Sequence, residues 1–335
     1  MIPRNAAPGQ TPPWQRILAR AVRDVDELWS ILDLPPELLP GARAAARHFP
    51  LRIPRPYLAR LRRGDPHDPL LRQFLPLGEE TRATPGFRAD PVGDGEAVVA
   101  PGLLQKYAGR ALAITTGACP VHCRYCFRRH FPYPDHHLDG ALLRRALEDH
   151  GPVEELILSG GDPLLLSDRR LTALLEALRG LPGLTTLRLH SRVPVTLPER
   201  LDAGFARWLE RVLERGLRCV LVLHANHPRE LDEAVAAALA RLPRPGLTLL
   251  NQAVLLRGVN DDADTLIALS RRLFEVGVLP YYLHLLDPVA GAAHFHVPDV
   301  EARRLLAALR ARLPGYLVPR LVREVPGAPN KTPVS

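Results

Sequence analysis

Three of the four cysteines stand within eight residues of one another, in Cys119-Pro-Val-His-Cys123-Arg-Tyr-Cys126. A CxxxCxxC loop brings three thiolates to one place, and thiolates select soft metals. Iron–sulfur clusters normally take four cysteines and structural zinc four ligands. Three therefore leave one position open to a substrate, unless His122 fills it. An iron–sulfur cluster with an open iron is the leading reading, ahead of zinc and of a metal-free thiol loop. Cys219 begins an apolar run, Cys-Val-Leu-Val-Leu, and reads as a buried core thiol. The second chemical signal is scarcity: of 44 basic residues only Lys106 and Lys331 are lysines, and the rest are arginines. A guanidinium neither loses its proton nor condenses with a carbonyl, whereas an amine does both. The two lysines are candidates for chemistry closed to arginine, against the alternative that they are chance survivors on the surface.

Such groups need a frame to position them. Short apolar strands are expected at Ala111–Thr115, Glu155–Ser159, Thr185–His190, Cys219–His224, Leu247–Leu255 and Leu279–Leu286. Amphipathic helices fit between and after them, at Asp139–His150, Arg169–Leu178, Leu197–Arg215, Pro228–Ala240, Ala263–Val276 and Pro298–Leu313. Six strand–helix repeats imply an α/β fold with a parallel sheet and right-handed crossovers. An open doubly wound sheet and a partial barrel both satisfy that order. The polar groups decide between them, because nearly every strand is followed by one: Cys119, Ser159 to Asp162, His190-Ser191-Arg192, His224 with Asn226, Asn251-Gln252, and Asp287. Loops that each deliver such a group to one end suit a partial (β/α)6 TIM-like barrel. Upstream, helical spacing covers Trp14–Leu32 as one run, then Glu37–His48 and Pro56–Arg63, and Thr81–Gly102 reads as a connecting loop. Past Leu313 a strand is expected at Tyr316–Val322, then a loop carrying Lys331. The organisation is an N-terminal helical region over 1–100, the barrel over 101–300 and a C-terminal helix, strand and loop over 301–335.

The 335 residues are 46% hydrophobic and 24% charged, the balance of a soluble globular chain. That composition excludes a disordered chain, and no long uncharged apolar run suggests a membrane span. No secretory signal is visible in Met1 to Gln15, so the cysteine usage points to the cytoplasm. A formal charge of +8 with only 5% aromatic residues gives no platform for stacking bases, and no nucleic-acid partner is expected. Proline, at 35 residues, implies many firm turns and helix starts.

CxxxCxxC with Tyr125 before its last cysteine resembles the radical S-adenosylmethionine superfamily. That resemblance implies a [4Fe–4S] cluster on Cys119, Cys123 and Cys126, with S-adenosyl-L-methionine chelating the fourth iron. Ser159-Gly160-Gly161-Asp162 is similar to the superfamily's glycine-rich turn near the methionyl group, where glycines let backbone approach a ligand. From about Gly102 to Pro333 the likeness is to one branch, the lysine 2,3-aminomutases, which also use pyridoxal 5′-phosphate. It implies Lys331, in Gly327-Ala-Pro-Asn-Lys331, as the Schiff-base lysine, in a mostly apolar or cation-flanked pocket. It implies Lys106, Tyr107 and Arg110 as a phosphate anchor, and Arg128 as the partner of the substrate α-carboxylate. Asn251 and Gln252 match a strand-end cofactor segment. Asp287 matches an aspartate that holds the substrate ε-ammonium. The branch has a second aspartate seven residues before the Schiff-base lysine, where this chain carries Glu324.

The reaction so implied is the migration of the amino group of (S)-α-lysine to give (R)-β-lysine, an isomerisation started by one electron from a flavodoxin- or ferredoxin-like donor. The chain ends soon after Lys331, and with Glu324 and Asp65-Pro-His-Asp68 it is similar to the short-form branch whose β-lysine modifies elongation factor P through a lysyl-tRNA-synthetase-like ligase. A free-standing amino-acid aminomutase, a radical enzyme acting on nucleic acid and a zinc-stabilised binding module are the competing readings.

Overall fold

Why the chain alternates strand and helix is visible at the helix starts. Asp139, Ser167, Asp202, Asp232 and Asp262 each accept a hydrogen bond from the backbone three residues on. That capping satisfies an otherwise orphaned N–H and fixes where each helix begins. The computed structural model describes residues 11–136 and 138–335; the first ten residues of the expected N-terminal region lie outside the described residues. The helices so capped are Gly140–His150, Asp168–Ala177, Ala203–Glu214, Glu233–Ala240 and Ala263–Glu275, and Asp299–Arg312 follows the last barrel strand. Two expected helices start later than read, because Pro198–Arg200 and Pro228–Glu230 form separate 3-10 turns ahead of the capping aspartates.

The strands are β1 (Val98–Ala100), β2 (Leu103–Tyr107), β3 (Arg110–Thr116), β4 (Glu155–Gly160), β5 (Thr186–Ser191), β6 (Arg218–Leu223), β7 (Leu247–Val254), β8 (Leu279–His284), β9 (Arg320–Arg323) and β10 (Thr332–Pro333). They lie in one sheet in chain order, parallel from β3 to β9, with antiparallel additions at both edges. The six expected strand–helix units are β3 to β8 with their helices, a partial (β/α)6 barrel. Alternate strand residues such as Leu187, Leu189, Cys219 and Leu221 are fully buried, and the helices cover them with Phe205, Trp208 and Leu209. Cys219 is the core thiol its sequence context implied.

Further expectations change, and the helix expected at Pro56–Arg63 is the single turn Arg55–Leu58. The run Trp14–Leu32 is two helices, Pro13–Ala19 and Val25–Leu32, because Val22 leaves the helix to bridge with Ile53. The strand expected at Tyr316–Val322 begins only at Arg320, since Gly315–Leu317 is a 3-10 turn. The hairpin of β1 and β2 lies partly within the segment read as a loop. Residues Val22 to Leu75 build an apolar core of their own, which takes in Val121 from the cysteine loop. No helix among the described residues is long and apolar enough to cross a membrane.

Candidate active site

The cysteine loop leaves β3 and is held from two sides. From the N-terminal region, Glu80 binds the fully buried Arg124 at 2.6 Å and Arg129 at 2.9 Å, and Arg124 also donates to the Phe49 carbonyl. His122 stacks on Phe49 and hydrogen-bonds the Pro50 carbonyl through Nδ1 at 2.8 Å. That contact turns the Nδ1 edge of His122 towards the helical region. From the barrel side, Arg192 donates to Cys123 Sγ at 2.7 Å and to Glu230 at 2.9 Å, beside Tyr125 and Gln73. Burial, reinforced by the neighbouring thiols, pushes Cys119 well up and Cys126 to about 11.

The glycine-rich turn after β4 packs directly on this loop. Gly161 N–H donates to the Thr116 carbonyl at 2.6 Å, and Asp162 N–H to the Ala118 carbonyl at 2.8 Å. A Cβ on Gly161 would stand 2.4 Å from the Ala118 oxygen. Glycine is thus required by backbone meeting backbone, a different reason from the ligand approach inferred above. Gly160 has a φ of +105°, a region that side chains avoid. The Asp162 carboxylate accepts from Ser191 Oγ and from the backbone of Leu164, Arg192 and Val193, which ties the turn to β5.

The C-terminal arm brings up the amine. Lys331 precedes β10, and its Nζ donates to Glu324 at 2.7 Å. A carboxylate faces this amine, in a cavity whose wall also carries Lys106, Arg110 and Arg128. Tyr107 Oη donates to the other oxygen of Glu324 at 2.7 Å, and Lys106 lies 3.8 Å from it. Burial raises the Glu324 carboxyl, but Lys331, Tyr107 and Lys106 outweigh it and hold the group below the ordinary range. Arg110 lies over the Tyr107 ring at 5.0 Å. Asp287, following β8, is pushed up to about 7, mainly by burial. Arg128 is buried and paired through Nε with Asp94 at 2.7 Å. Its Nη1 donates to Ser159 Oγ at 3.3 Å.

The three thiols, the glycine-rich turn and the Lys331 arm face one cavity of about 900 Å³. Cys119, Cys123 and Cys126 line it together with Lys331, and so do Lys106, Tyr107, Arg110, Arg128, Ser159 to Asp162, Gln252, Asp287 and Glu324. Asn251 is the exception. Its amide is spent on the backbone N–H and carbonyl of Ala225, at 2.9 and 3.0 Å, so it staples β7 to the β6 loop rather than reaching a cofactor.

The profile of the Radical SAM superfamily matches residues 113–269. The chain is 48% identical to the L-lysine 2,3-aminomutase of Escherichia coli (strain K12) over 96% of its own length and 94% of that protein. It is 42% identical to the Haemophilus influenzae protein of the same name, over 99% and 98%. This chain belongs to the L-lysine 2,3-aminomutase family. A relative from Clostridium subterminale is 32% identical over 96% of this chain and 77% of its own. Family membership sets the cofactors: a [4Fe–4S] cluster, S-adenosyl-L-methionine and pyridoxal 5′-phosphate.

The donor set fits that inventory. Among the described residues no three His, Cys, Asp or Glu side chains converge on a point as the ligands of one ion must. Three cysteines lining one cavity match a cluster in which each of three thiolates takes a different iron. Sequence reasoning missed several residues of this site in the aminomutase-family chain. Asp94 lay in a Gly- and Pro-rich stretch with no periodic signal. The imidazoles of His190, His224 and His284 line the cavity, and burial holds them well below the usual range and uncharged at neutral pH. His190 and His224 were visible only as polar residues at strand ends.

Proposed function

We propose that this protein is a radical S-adenosylmethionine, pyridoxal-phosphate-dependent isomerase that converts (S)-α-lysine to (R)-β-lysine. The observation that carries the reading is the single cavity shared by the three thiols and the Lys331 amine. A substrate attached at one end is then within reach of chemistry begun at the other. In this reading Cys119, Cys123 and Cys126 hold the cluster, and Ser159, Gly160, Gly161 and Asp162 wall the S-adenosylmethionine beside it. Lys331 holds pyridoxal phosphate, whose phosphate lies against Lys106, Tyr107 and Arg110, with Gln252 on the same wall.

Arg128 takes the substrate carboxylate, while Asp287 and Glu324 take its ε-ammonium. When bound, the cofactors supply the one-electron chemistry that opens a C–H bond and the conjugated ring that carries the nitrogen. The chain supplies the geometry. Arg128 at one end and the two carboxylates at the other fix lysine along its length, so that C2 and C3 stay in register with the reacting groups. The neutral imidazoles of His190, His224 and His284 line the cavity without adding charge to it. The N-terminal region, 1–100, serves as a clamp on the cysteine loop, the barrel over 101–300 as the radical chamber, and 301–335 as the arm that presents Lys331.

We also place the protein in the cytoplasm, in keeping with four free thiols. A flavodoxin- or ferredoxin-like protein is the electron donor in this reading, and the β-lysine goes to elongation factor P through its lysyl-tRNA-synthetase-like ligase. The 48% and 42% identity to the E. coli and H. influenzae L-lysine 2,3-aminomutases supports the aminomutase part of this reading.

The test is anaerobic incubation of reconstituted protein with lysine, S-adenosylmethionine, pyridoxal phosphate and dithionite, followed by chromatography for β-lysine. Lys331→Ala abolishes the product and the visible absorbance of bound pyridoxal phosphate, and leaves the iron content unchanged. Absence of β-lysine from protein that carries both cluster and cofactor would refute the proposal.

A further inference from the structure

Asp94 lines the cavity at 3% exposure, between two cations. One of its oxygens lies 2.7 Å from Arg128 Nε, the other 2.7 Å from Lys106 Nζ. The segment that carries it is itself fixed, since the backbone N–H groups of Asp94 and Gly95 donate to the Asp90 carboxylate at 3.0 and 2.9 Å. Arg128 is pinned on two further sides. Ser159 Oγ accepts from Nη1 at 3.3 Å, and the Phe127 ring lies 4.8 Å from the guanidinium carbon.

We propose that Asp94 is the positioning residue that makes Arg128 a carboxylate receptor, and so sets the enzyme's preference for substrates with a free α-carboxylate. A guanidinium recognises a carboxylate through a planar fork of N–H groups, and on a flexible stem that fork must be fixed in direction before it can discriminate. Asp94 occupies Nε, at the side of the fork, and Ser159 holds Nη1, which leaves Nη2 without a hydrogen-bond partner among the described residues, on a side chain that lines the cavity.

A carboxylate so close to Arg128 would on its own cancel the field that attracts a substrate anion. Lys106 answers that objection. It takes the second oxygen of Asp94, so the three groups together keep one net positive charge. The depressed carboxyl of Asp94, for which burial is overcome by Arg128 and Lys106, fits a group that stays ionised throughout. The same pair of contacts links the residue assigned to the phosphate with the residue assigned to the substrate carboxylate, although the two stand on different elements.

This inference rests on the aminomutase reading, and the experiment separates the two. Reconstituted wild type, Asp94→Asn, Asp94→Glu and Arg128→Gln are assayed at saturating pyridoxal phosphate with lysine and with lysinamide, which lacks the carboxylate. Losing one charge-assisted contact corresponds to about tenfold or more in discrimination. In Asp94→Asn the KM for lysine is expected to rise by that factor while kcat changes little, and the preference for lysine over lysinamide collapses towards that of Arg128→Gln. Added to Arg128→Gln, the Asp94→Asn change has little further effect on that preference.

Asp94→Glu retains the charge and keeps part of the preference. Equilibrium binding of lysine to the loaded protein, followed by the shift in cofactor absorbance without dithionite, gives the same ranking independently of turnover. Wild type inactive on lysine would overturn the aminomutase reading. Active wild type, with an Asp94→Asn protein that keeps the full preference, would overturn the role of Asp94. If Asp94→Asn does not fold, Asp94→Glu decides: an unaltered preference there overturns the proposal.

Discussion

Gly161→Ala isolates the contact between the glycine turn and the cysteine loop. An added Cβ would lie 2.4 Å from the Ala118 oxygen and 2.8 Å from the Ala118 nitrogen and the Gly117 carbonyl carbon. These neighbours are backbone, so no side chain can swing away. Reaching even the 3.0 Å that real Cβ atoms respect requires a movement of about 0.6 Å. The Ala118 oxygen also accepts the 2.8 Å bond from Asp162, and that bond stretches to the edge of usefulness if the two segments part. Overpacking costs about 1–3 kcal/mol, and a buried donor left unpaired costs about 1–3 more. The expected loss is about 2–6 kcal/mol, a large part of a typical domain's stability. Because the strain falls immediately before Cys119, iron retention should drop with it. Gly180→Ala is the control: its φ is +70° but nothing stands within 4 Å of an added Cβ, so only conformational strain of about 1–2 kcal/mol applies. Urea unfolding gives the stabilities, and iron and sulfide per chain after anaerobic reconstitution give the second readout. A Gly161→Ala protein that matches Gly180→Ala on both counts would refute the reasoning.

Two further outcomes follow from the same geometry. Asp287 has its carboxyl raised to about 7, while an unfolded aspartate titrates near about 3.9. Between those values the folded state holds the extra proton, so wild-type stability falls as pH rises from about 4 to 7; Asp287→Asn should lack that fall and be more stable at pH 8, by no more than about 4 kcal/mol in urea unfolding. Glu80→Ala leaves the buried Arg124 and Arg129 without their shared carboxylate, and should cost about 3–5 kcal/mol and lower iron retention; a urea midpoint equal to wild type would contradict that.

The groups that do local chemistry were readable in the sequence because type and spacing alone mark them: three cysteines on one loop, and two lysines among arginines. Strands β3 to β8 were readable because apolar runs bounded by capping residues are a local signal. What escaped depends on partners far along the chain. Val22 leaves its helix only because Ile53 is there to bond it, and the helical spacing around Val22 contains no trace of that partner. Asp94 gains its meaning from Arg128 and Lys106, on other elements. Asn251 has the residue type of a ligand, yet it lies within β7 rather than after it, and Ala225, 26 residues away, consumes its amide. Residue type and strand-end position therefore nominate a site residue, while hydrogen-bond accounting determines whether it is free to act.

Glu324 shows how one methylene can be read through the fold. Among the described residues no strand ladder joins β2 to β9, each of which lies one strand in from an edge of the sheet. Side chains span that gap instead. Glu324, directly after β9, reaches Tyr107 at the end of β2 with one oxygen and Lys331 on the C-terminal arm with the other, each at 2.7 Å. A carboxylate that must touch both sides of an opening gains from the longer stem of glutamate, whereas one that only faces a substrate ammonium does not. The lysine of this arm and the tyrosine of the hairpin are thereby set against each other by a single group. Lys331 directly precedes β10, the strand at one of those edges, and lines the cavity from there.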